Sequence, residues 1–182
     1  MFVGHLPAGY LLTRAMWPTL HRHTPTESYW KPFLYAGLVG SLLPDSDMFY
    51  FYVIDHQQHL HHSYWTHMPI FWTVIGLLAL IFIVVSNQKR FLPYLAVGEA
   101  CIFLHLFLDT IVGKVRWLYP ISNRDFFFFK VSAVHGWYVW NFFFHWTFLF
   151  EIFAWIAAVY VYFLCPLTTE EQRTQNASFR GI

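Results

Sequence analysis

The chain has 182 residues; 57% of them are hydrophobic, 23% are aromatic, and only 12% are Asp, Glu, Lys or Arg. This charged fraction is about half that of a soluble domain and would not keep a globule of this size dispersed in water, so the composition indicates a membrane protein. The formal net charge of +1 argues against nucleic-acid binding, because that function usually needs a strong basic excess.

The first two predicted helices are the most polar, which is compatible with a short, tilted or re-entrant helix. Residues 3–20 form an amphipathic stretch, and residues 33–54 form an apolar stretch that the motif LPDSD interrupts at 43–47. Pro44 should end or kink the second helix, because it lacks a backbone N–H and clashes with the preceding turn. Irregular backbone at membrane depth is tolerated beside protein or a water-filled cavity, so we expect a polar cavity around this motif.

Three later stretches are apolar enough to be outright membrane spans. Residues 68–85 are eighteen residues without a charge, and residues 91–113 and 142–165 are also strongly apolar. The sequence therefore predicts an all-α integral membrane bundle of about five helices, with a broken second helix. We assign residues 1–165 to this membrane-embedded domain and residues 166–182 to a polar tail.

The fourth helix carries the motif HLFLD, in which His105 and Asp109 are four residues apart. On a helix this spacing places both side chains on one face, one turn apart. Together an imidazole nitrogen and a carboxylate oxygen can bind one metal ion. Taken alone, the pair is equally compatible with a buried hydrogen bond between the two side chains.

Asp45 and Asp47 lie at the predicted break in the second helix. Two carboxylates this close repel each other unless a cation lies between them or one of them is protonated. A solvated turn in which an aspartate caps a helix is the simpler alternative.

The segment DHQQHLHHSYWTH, residues 55–67, contains five histidines immediately before the uncharged third helix. His62 and His67 flank the start of that helix, and Thr66 is the predicted N-cap residue. Such a histidine-rich loop predicts either a loose metal-binding surface or simple polar filler. His5, on the first helix, is by itself more typical of a structural residue.

An up-and-down order of helices brings these groups together. If the third helix starts at His67 and the fourth returns antiparallel to it, His105 and Asp109 come back to the His67 end. The LPDSD break and the start of the first helix are expected at the same end. This arrangement favours a metal site formed by His5, Asp45, Asp47, His62, His67, His105 and Asp109.

Four motifs occur in a recognisable order: GHLPAGYLL, SLLPDSD, HHSYWTH, and HLFLDTIVG followed by WLYP. They resemble the family of membrane-bound, metal-dependent hydrolases, also described as LexA-binding, inner membrane-associated hydrolases. The pattern of that family is an early GH, an LLPDxD, an HRxxTHS, and an HxxxD followed by Thr, Gly and a later Pro. The resemblance covers residues 4–120, about two thirds of the chain.

The resemblance extends to individual positions. Ser63 replaces the arginine of the third motif, and Met68 replaces its final serine. The chain also looks distantly similar to zinc-dependent phospholipases C, which suggests phosphoester chemistry. The matching residues are His5 in the first motif, Asp45 and Asp47 in the second, His62, Thr66 and His67 in the third, and His105, Asp109, Thr110, Gly113 and Pro120 in the fourth.

We therefore expect a membrane-embedded hydrolase that acts on a phosphoester or ester of a lipid-like substrate through metal-bound hydroxide. Asp47 and His62 are the candidates for a catalytic role, as a general base, a bridge to a second ion or an orienting group. Carboxylates combined with imidazoles suit zinc, manganese or iron better than calcium, and we expect one or two divalent ions, with zinc favoured. The expected metal ligands are His5, Asp45, His67, His105 and Asp109.

A non-enzymatic membrane protein, with a structural metal site or as a metal carrier, is the alternative. A structural zinc site is closed by four protein ligands, whereas a catalytic site keeps an open position. Seven candidate ligands favour the open site. A carrier should have acidic or histidine residues through the depth of its spans, and the acidic candidates away from the cluster are Glu99 and Glu151.

Membrane lipid is the expected partner, in a bacterial-type inner membrane. Basic residues are enriched on the cytoplasmic side of membrane proteins. More of them are expected at the end opposite the cluster, so we expect the site to face away from the cytoplasm. The opposite end would carry Arg22, Lys31, Lys89, Arg90, Arg173 and Arg180, and the cluster end Lys114, Arg116, Arg124 and Lys130.

Overall fold

The computed structural model describes residues 3–20, 30–56, 58, 64–132, 134, 136 and 138–165. His62 and the predicted tail at 166–182 lie outside these residues. The described chain is all-helical, as predicted, and its one isolated β-bridge joins Val115 and Phe126. The helices are α1 (His5–Leu20), α2 (Trp30–Leu42), α3 (Met48–Val53), α4 (Pro69–Val85), α5 (Leu92–Asp109), α6 (Tyr138–Phe143) and α7 (Phe148–Leu164), and 3-10 helices occupy Leu43–Asp47, Trp65–His67 and Lys89–Phe91.

The predicted break in the second helix is confirmed. α2 ends at Leu42, and the motif LPDSD forms a five-residue 3-10 helix that leads into α3. Pro44 occupies one of the first two positions of the 3-10 helix, where a missing backbone N–H leaves no hydrogen bond unmade. The break places Asp45 and Asp47 on a short, tightly wound segment at the end of α2.

The main core lies between α1, α2 and α5. The Trp17 ring meets the Phe33 ring edge to face at a centroid distance of 5.1 Å, and Val97 and Cys101 of α5 complete the buried cluster with Trp30. Burial of such large rings stabilises the packing of these helices, because each aromatic side chain buries a large apolar area. α4 packs against α5 through a second buried cluster, formed by Trp72 of α4 and by Ile102 and Leu106 of α5.

Glycines allow α2 and α5 to approach each other very closely. A β-carbon at Gly40 would lie 3.0 Å from the Gly98 α-carbon and closer still to the Gly98 carbonyl oxygen. Real side chains do not occupy such positions, so the helices can keep this spacing only with glycine at position 40. The contact sits near the end of α2, one residue before Ser41.

Of the three stretches predicted as outright membrane spans, only one keeps the length of a span in the part of the chain that the structure describes. By length and composition, residues 89–109 form the one helix in the described ranges that could cross a membrane. α4 begins at Pro69 because the residues before it form the 3-10 helix that carries His67, and it has 17 residues. The predicted span at 142–165 is interrupted after Phe143, so that α7 also has 17 residues.

The close contact between α2 and α5 predicts opposite effects for two similar substitutions. We expect Gly40→Ala to lower the free energy of unfolding by about 1–3 kcal/mol, because the added methyl group forces the two backbones apart. In contrast, a β-carbon at Gly98 would meet the Ala36 carbonyl oxygen at 3.6 Å, an ordinary contact. Gly98→Ala should therefore be neutral or stabilising by about 0.5–1 kcal/mol. Unfolding in detergent, followed by circular dichroism, compares the two; equal losses would contradict the packing described here.

Candidate metal centre

Four side chains converge at the end of the bundle where α2 and α5 end and α4 begins. Asp45, His67, His105 and Asp109 each offer one nitrogen or oxygen atom, and these atoms all lie within 4.8 Å of one another. Asp45 comes from the 3-10 helix after α2, His67 from the 3-10 helix before α4, and the other two from the last turns of α5. These four residues could hold a metal ion.

The α5 pair has the geometry that its spacing predicts. His105 Nε2 lies 3.0 Å from Asp109 Oδ2, one helical turn away, and both side chains are buried. His105 Nδ1 lies 2.8 Å from the backbone carbonyl of Ser41, which can only accept a hydrogen bond. Nδ1 therefore carries a proton and donates to this carbonyl, and Nε2 is directed at Asp109. The close approach of α2 at Gly40 brings the Ser41 carbonyl within reach.

His67 is held in a similar way from the opposite side. Its Nδ1 lies 3.0 Å from Asp47 Oδ2, while its Nε2 lies 3.4 Å from Asp109 Oδ2 and 3.6 Å from Asp45 Oδ1. A carboxylate that accepts from one ring nitrogen of a histidine fixes the tautomer and directs the other nitrogen toward a metal. Asp47 therefore contacts the Nδ1 edge of the His67 ring, and the Nε2 edge faces the other three residues of the cluster.

The local turn around His67 differs from the prediction. Thr66 is not the N-cap residue of α4; the cap position is Met68, and the Thr66 hydroxyl donates a hydrogen bond to Asp47 Oδ2. The Thr66 carbonyl in turn accepts a 2.7 Å hydrogen bond from Trp72 Nε1. These contacts lock the turn between the LPDSD segment and the first turns of α4, so that His67 is completely buried.

His5 lies beside the four-residue cluster. Its ring stacks on the His105 ring with a centroid distance of 3.7 Å, and its Nε2 lies 3.1 Å from Asp109 Oδ1. The two oxygens of Asp109 are thus used differently: one contacts His5, and the other faces His67 and His105. This geometry suits His5 to positioning Asp109, although the sequence predicts it as a ligand.

The cluster concentrates negative charge in a buried place. Burial lowers the pKa of His67, but hydrogen bonds to Asp109, Asp45 and Asp47 outweigh that effect and raise the pKa well above its ordinary value. A buried group of carboxylates needs positive charge beside it, supplied either by a proton on an imidazole or by a cation. The donor set of two imidazoles and two carboxylates fits a divalent ion such as zinc, manganese or iron.

One edge of the cluster is accessible from outside. The Asp45 side chain is 32% exposed, whereas the side chains of His67, His105 and Asp109 are at most 1% exposed. A molecule approaching the centre would therefore meet Asp45 first. This accessibility follows from the 3-10 helix, which carries Asp45 toward the surface and Asp47 toward the interior within three residues.

Sequence reasoning missed the supporting groups of the centre. The Ser41 carbonyl is a backbone atom, so no residue type marks it. Trp72, which anchors the Thr66 carbonyl, is one of many aromatic residues in an apolar helix, and nothing distinguishes it in the sequence. Trp117 Nε1 donates a 2.8 Å hydrogen bond to the Thr110 hydroxyl just after α5 ends, which gives that threonine a structural partner.

The comparisons with known proteins agree with a membrane location. No curated protein and no solved structure matches the chain. A family model described as YdjM inner membrane protein matches residues 1–174, which include every residue of the candidate centre. The description names an inner membrane and no activity. By this match, the chain belongs to the YdjM inner membrane protein family.

Proposed function

We propose that this protein is a membrane-embedded, metal-dependent hydrolase that cleaves a phosphoester or ester of a lipid-like substrate. The observation that supports it best is the convergence of two imidazole nitrogens and two carboxylate oxygens within 4.8 Å, from three separate segments of the chain. Burying carboxylates beside histidines is costly without a compensating charge. A divalent cation would supply that charge.

The supporting contacts favour a site built to hold a metal. His105 Nδ1 is directed to a carbonyl oxygen, and His67 Nδ1 to a carboxylate oxygen, which leaves each Nε2 directed at the cluster. Metal-binding histidines are usually oriented in this way. In the proposed centre Asp45, His67, His105 and Asp109 bind the ion, with zinc the best match, while Asp47 and His5 position two of those ligands.

The chemistry divides between the ion and the protein. When bound, a divalent ion lowers the pKa of water from 15.7 to roughly 7 and polarises the oxygen of the bond to be cleaved. The chain contributes orientation: Asp47 holds the His67 ring, and His5 holds the Asp109 carboxylate. Asp45, at the exposed edge, is placed where a substrate headgroup would enter. The predicted catalytic role of His62 stays a prediction.

A lipid-like substrate is supported by the surroundings of the centre. The helix formed by residues 89–109 is long and apolar enough to cross a membrane, and its last two turns carry His105 and Asp109. A cavity of about 620 Å³ lies between α4 and α5, and apart from Thr73 and Glu99 the side chains that line it are apolar. Its lining extends from Leu80 and Leu92 to Thr73 and Phe103, toward the end of the helices that carries the centre. An acyl chain would fit such a cavity.

A structural metal site is the second candidate, and it is favoured by the number of candidate ligands, which is four. Four protein ligands are enough to close a tetrahedral zinc site, with no position left for water or substrate. The exposed edge at Asp45 favours the catalytic reading, because a structural ion does not need access. Experiment can distinguish the two functions, because both require bound metal but only the hydrolase also cleaves a substrate.

Removing Asp109 tests the centre directly. We expect Asp109→Ala to abolish both metal content and hydrolysis, because this carboxylate contacts His5, His67 and His105. Elemental analysis of detergent-purified protein measures the metal, and release of products from phosphoester and carboxylester lipids measures hydrolysis. The matched control is Asp125→Asn, which removes a carboxylate that pairs with Lys114 and Arg116, outside the centre and outside the apolar cavity, and should leave both quantities unchanged.

The outcomes distinguish the two candidates. Full metal occupancy in Asp109→Ala protein would overturn the metal centre itself. Metal bound in the wild-type protein, lost in the variant, and accompanied by no hydrolysis of any lipid ester would leave the structural site. Circular dichroism and gel filtration show whether Asp109→Ala remains folded; Asp109→Asn, which keeps the shape of the side chain, replaces it if it does not.

The contact between Asp47 and His67 predicts that Asp47→Ala weakens metal affinity less than the loss of a ligand does. Asp47→Ala should weaken metal affinity about 10–100-fold, the usual effect of losing a group that orients a histidine ligand. Asp45→Ala removes a ligand and should weaken affinity more. Titration with a chelator measures both constants. Equal affinities in Asp47→Ala and wild-type protein would show that Asp47 does not position His67.

Metal binding should also depend on pH in a defined direction. Hydrogen bonds to Asp109, Asp45 and Asp47 raise the pKa of His67 well above its ordinary value, which favours a proton on this ring. A metal must displace that proton, and apparent affinity should therefore rise as pH increases from 7 to 8. Calorimetric titration in two buffers of different ionisation enthalpy counts the released protons. An affinity that is constant over this range, with no proton released, would contradict the interpretation.

A further inference from the structure

A small pocket of about 210 Å³ opens beside the candidate centre and has a different character from the cavity along α4 and α5. Its walls are mainly aromatic, from Tyr50 of α3 and from Tyr64 and Trp65, which precede α4. Asp47 contributes a carboxylate. Among the described residues that line it there is no Lys, Arg or His.

The rings of Tyr50 and Tyr64 meet edge to face and form one corner of the pocket. Their ring centroids are 5.6 Å apart, and the ring planes meet at 78°. Tyr50 and Trp65 are about half exposed, so the pocket is open to its surroundings. Faces of electron-rich rings attract cations, and aromatic cages bind quaternary ammonium groups in this way.

Two carboxylates add negative charge to the corner. Asp47 lines the pocket, and Asp55 lies close to the Tyr64 hydroxyl. Loss of hydration raises the pKa of Tyr64 to about 12, and the neighbouring Asp55 and Asp47 carboxylates contribute to this rise. The pocket therefore combines aromatic rings with two neighbouring carboxylates, one of which, Asp47, also contacts His67. Rings and carboxylates together favour a cation over an anionic group.

The pocket adjoins the accessible edge of the centre. One 3-10 helix carries Asp45 to the cluster and Ser46 and Asp47 to the pocket wall. On the other wall, Thr66 lines the pocket and the next residue, His67, belongs to the cluster. A headgroup could therefore place a cationic end in the pocket while its ester bond lies at the edge marked by Asp45.

We propose that this pocket, formed by Tyr50, Tyr64, Trp65 and Asp47, binds the ammonium group of an amine-bearing lipid headgroup. As a substrate subsite this inference rests on the proposed hydrolase function, and it narrows the substrate class to ammonium-bearing lipid esters. The shared chemistry is an organic ammonium ion. The experiment below compares its quaternary form with its primary form.

Binding of small headgroup analogues tests the pocket without requiring turnover. The full chain, purified in a maltoside detergent that carries no ammonium group, is titrated with choline, with ethanolamine and with 3,3-dimethylbutanol, the uncharged analogue of choline. Saturation-transfer NMR measures binding. We expect at least one ammonium compound to bind and the alcohol to bind more weakly. Choline binding identifies a quaternary group, and binding of ethanolamine alone a primary one.

Substitutions of the rings show where the compound binds. Tyr50→Leu and Tyr64→Leu should each weaken binding about 3- to 30-fold, because each removes one ring face. Tyr50→Phe keeps the ring and should retain most of the affinity. Tyr52→Leu is the matched control, since it removes an exposed tyrosine of the same helix that does not line the pocket.

Each remaining outcome has a definite meaning. No binding of either ammonium compound, equal binding of the alcohol, or binding unaffected by both Tyr50→Leu and Tyr64→Leu would overturn the ammonium pocket. The rings would then serve only as interfacial anchors. Metal content and lipid hydrolysis are measured on the same samples. Hydrolysis without ring-dependent ammonium binding rejects the pocket alone, and ring-dependent binding without hydrolysis rejects the hydrolase alone.

Discussion

The carboxylate of Asp109 is the group on which the rest of the centre depends. It is almost completely buried, and its two oxygens lie between 3.0 and 3.4 Å from three imidazole nitrogens, those of His5, His67 and His105. A buried carboxylate is unstable unless positive charge or hydrogen-bond donors surround it. Three segments that are distant in the chain must therefore meet at this one side chain, and their meeting defines the end of the bundle.

The helix packing is arranged so that this meeting can occur. Gly40 lets α2 approach α5 until their backbones nearly touch, and the Ser41 carbonyl can then accept from His105 Nδ1. A wider spacing would leave His105 free to rotate, because its ring would lose the contact that fixes the tautomer. The glycine contact therefore also helps to orient His105, because the distance between the α2 and α5 backbones determines whether the Ser41 carbonyl can reach His105 Nδ1.

Interruptions of regular helix provide the other ligands. The LPDSD segment winds as a 3-10 helix and places Asp45 at an accessible edge and Asp47 behind His67. The Trp65–His67 turn does the same for the start of α4, and Thr66 bonds the two turns together through Asp47. Short 3-10 segments suit this purpose because they reorient successive side chains over few residues. The aromatic pocket lies between the same two turns. These turns therefore form the accessible edge of the centre, the support for the His67 ring and the wall of the proposed headgroup pocket.

Much of this arrangement is encoded locally and was predictable. The spacing of His105 and Asp109 determines a shared helix face, and Pro44 determines the break in the second helix, because both depend only on neighbouring residues. An antiparallel return of α5 along α4 follows from the short connection between them. The tertiary structure alone decided that Asp47 contacts the far nitrogen of His67, that His5 stacks on His105, and that the helices within 68–85 and 142–165 are shorter than these apolar stretches. These features depend on distances between segments far apart in the chain. Local sequence patterns do not reveal such distances, because they result from the packing of the helices against one another.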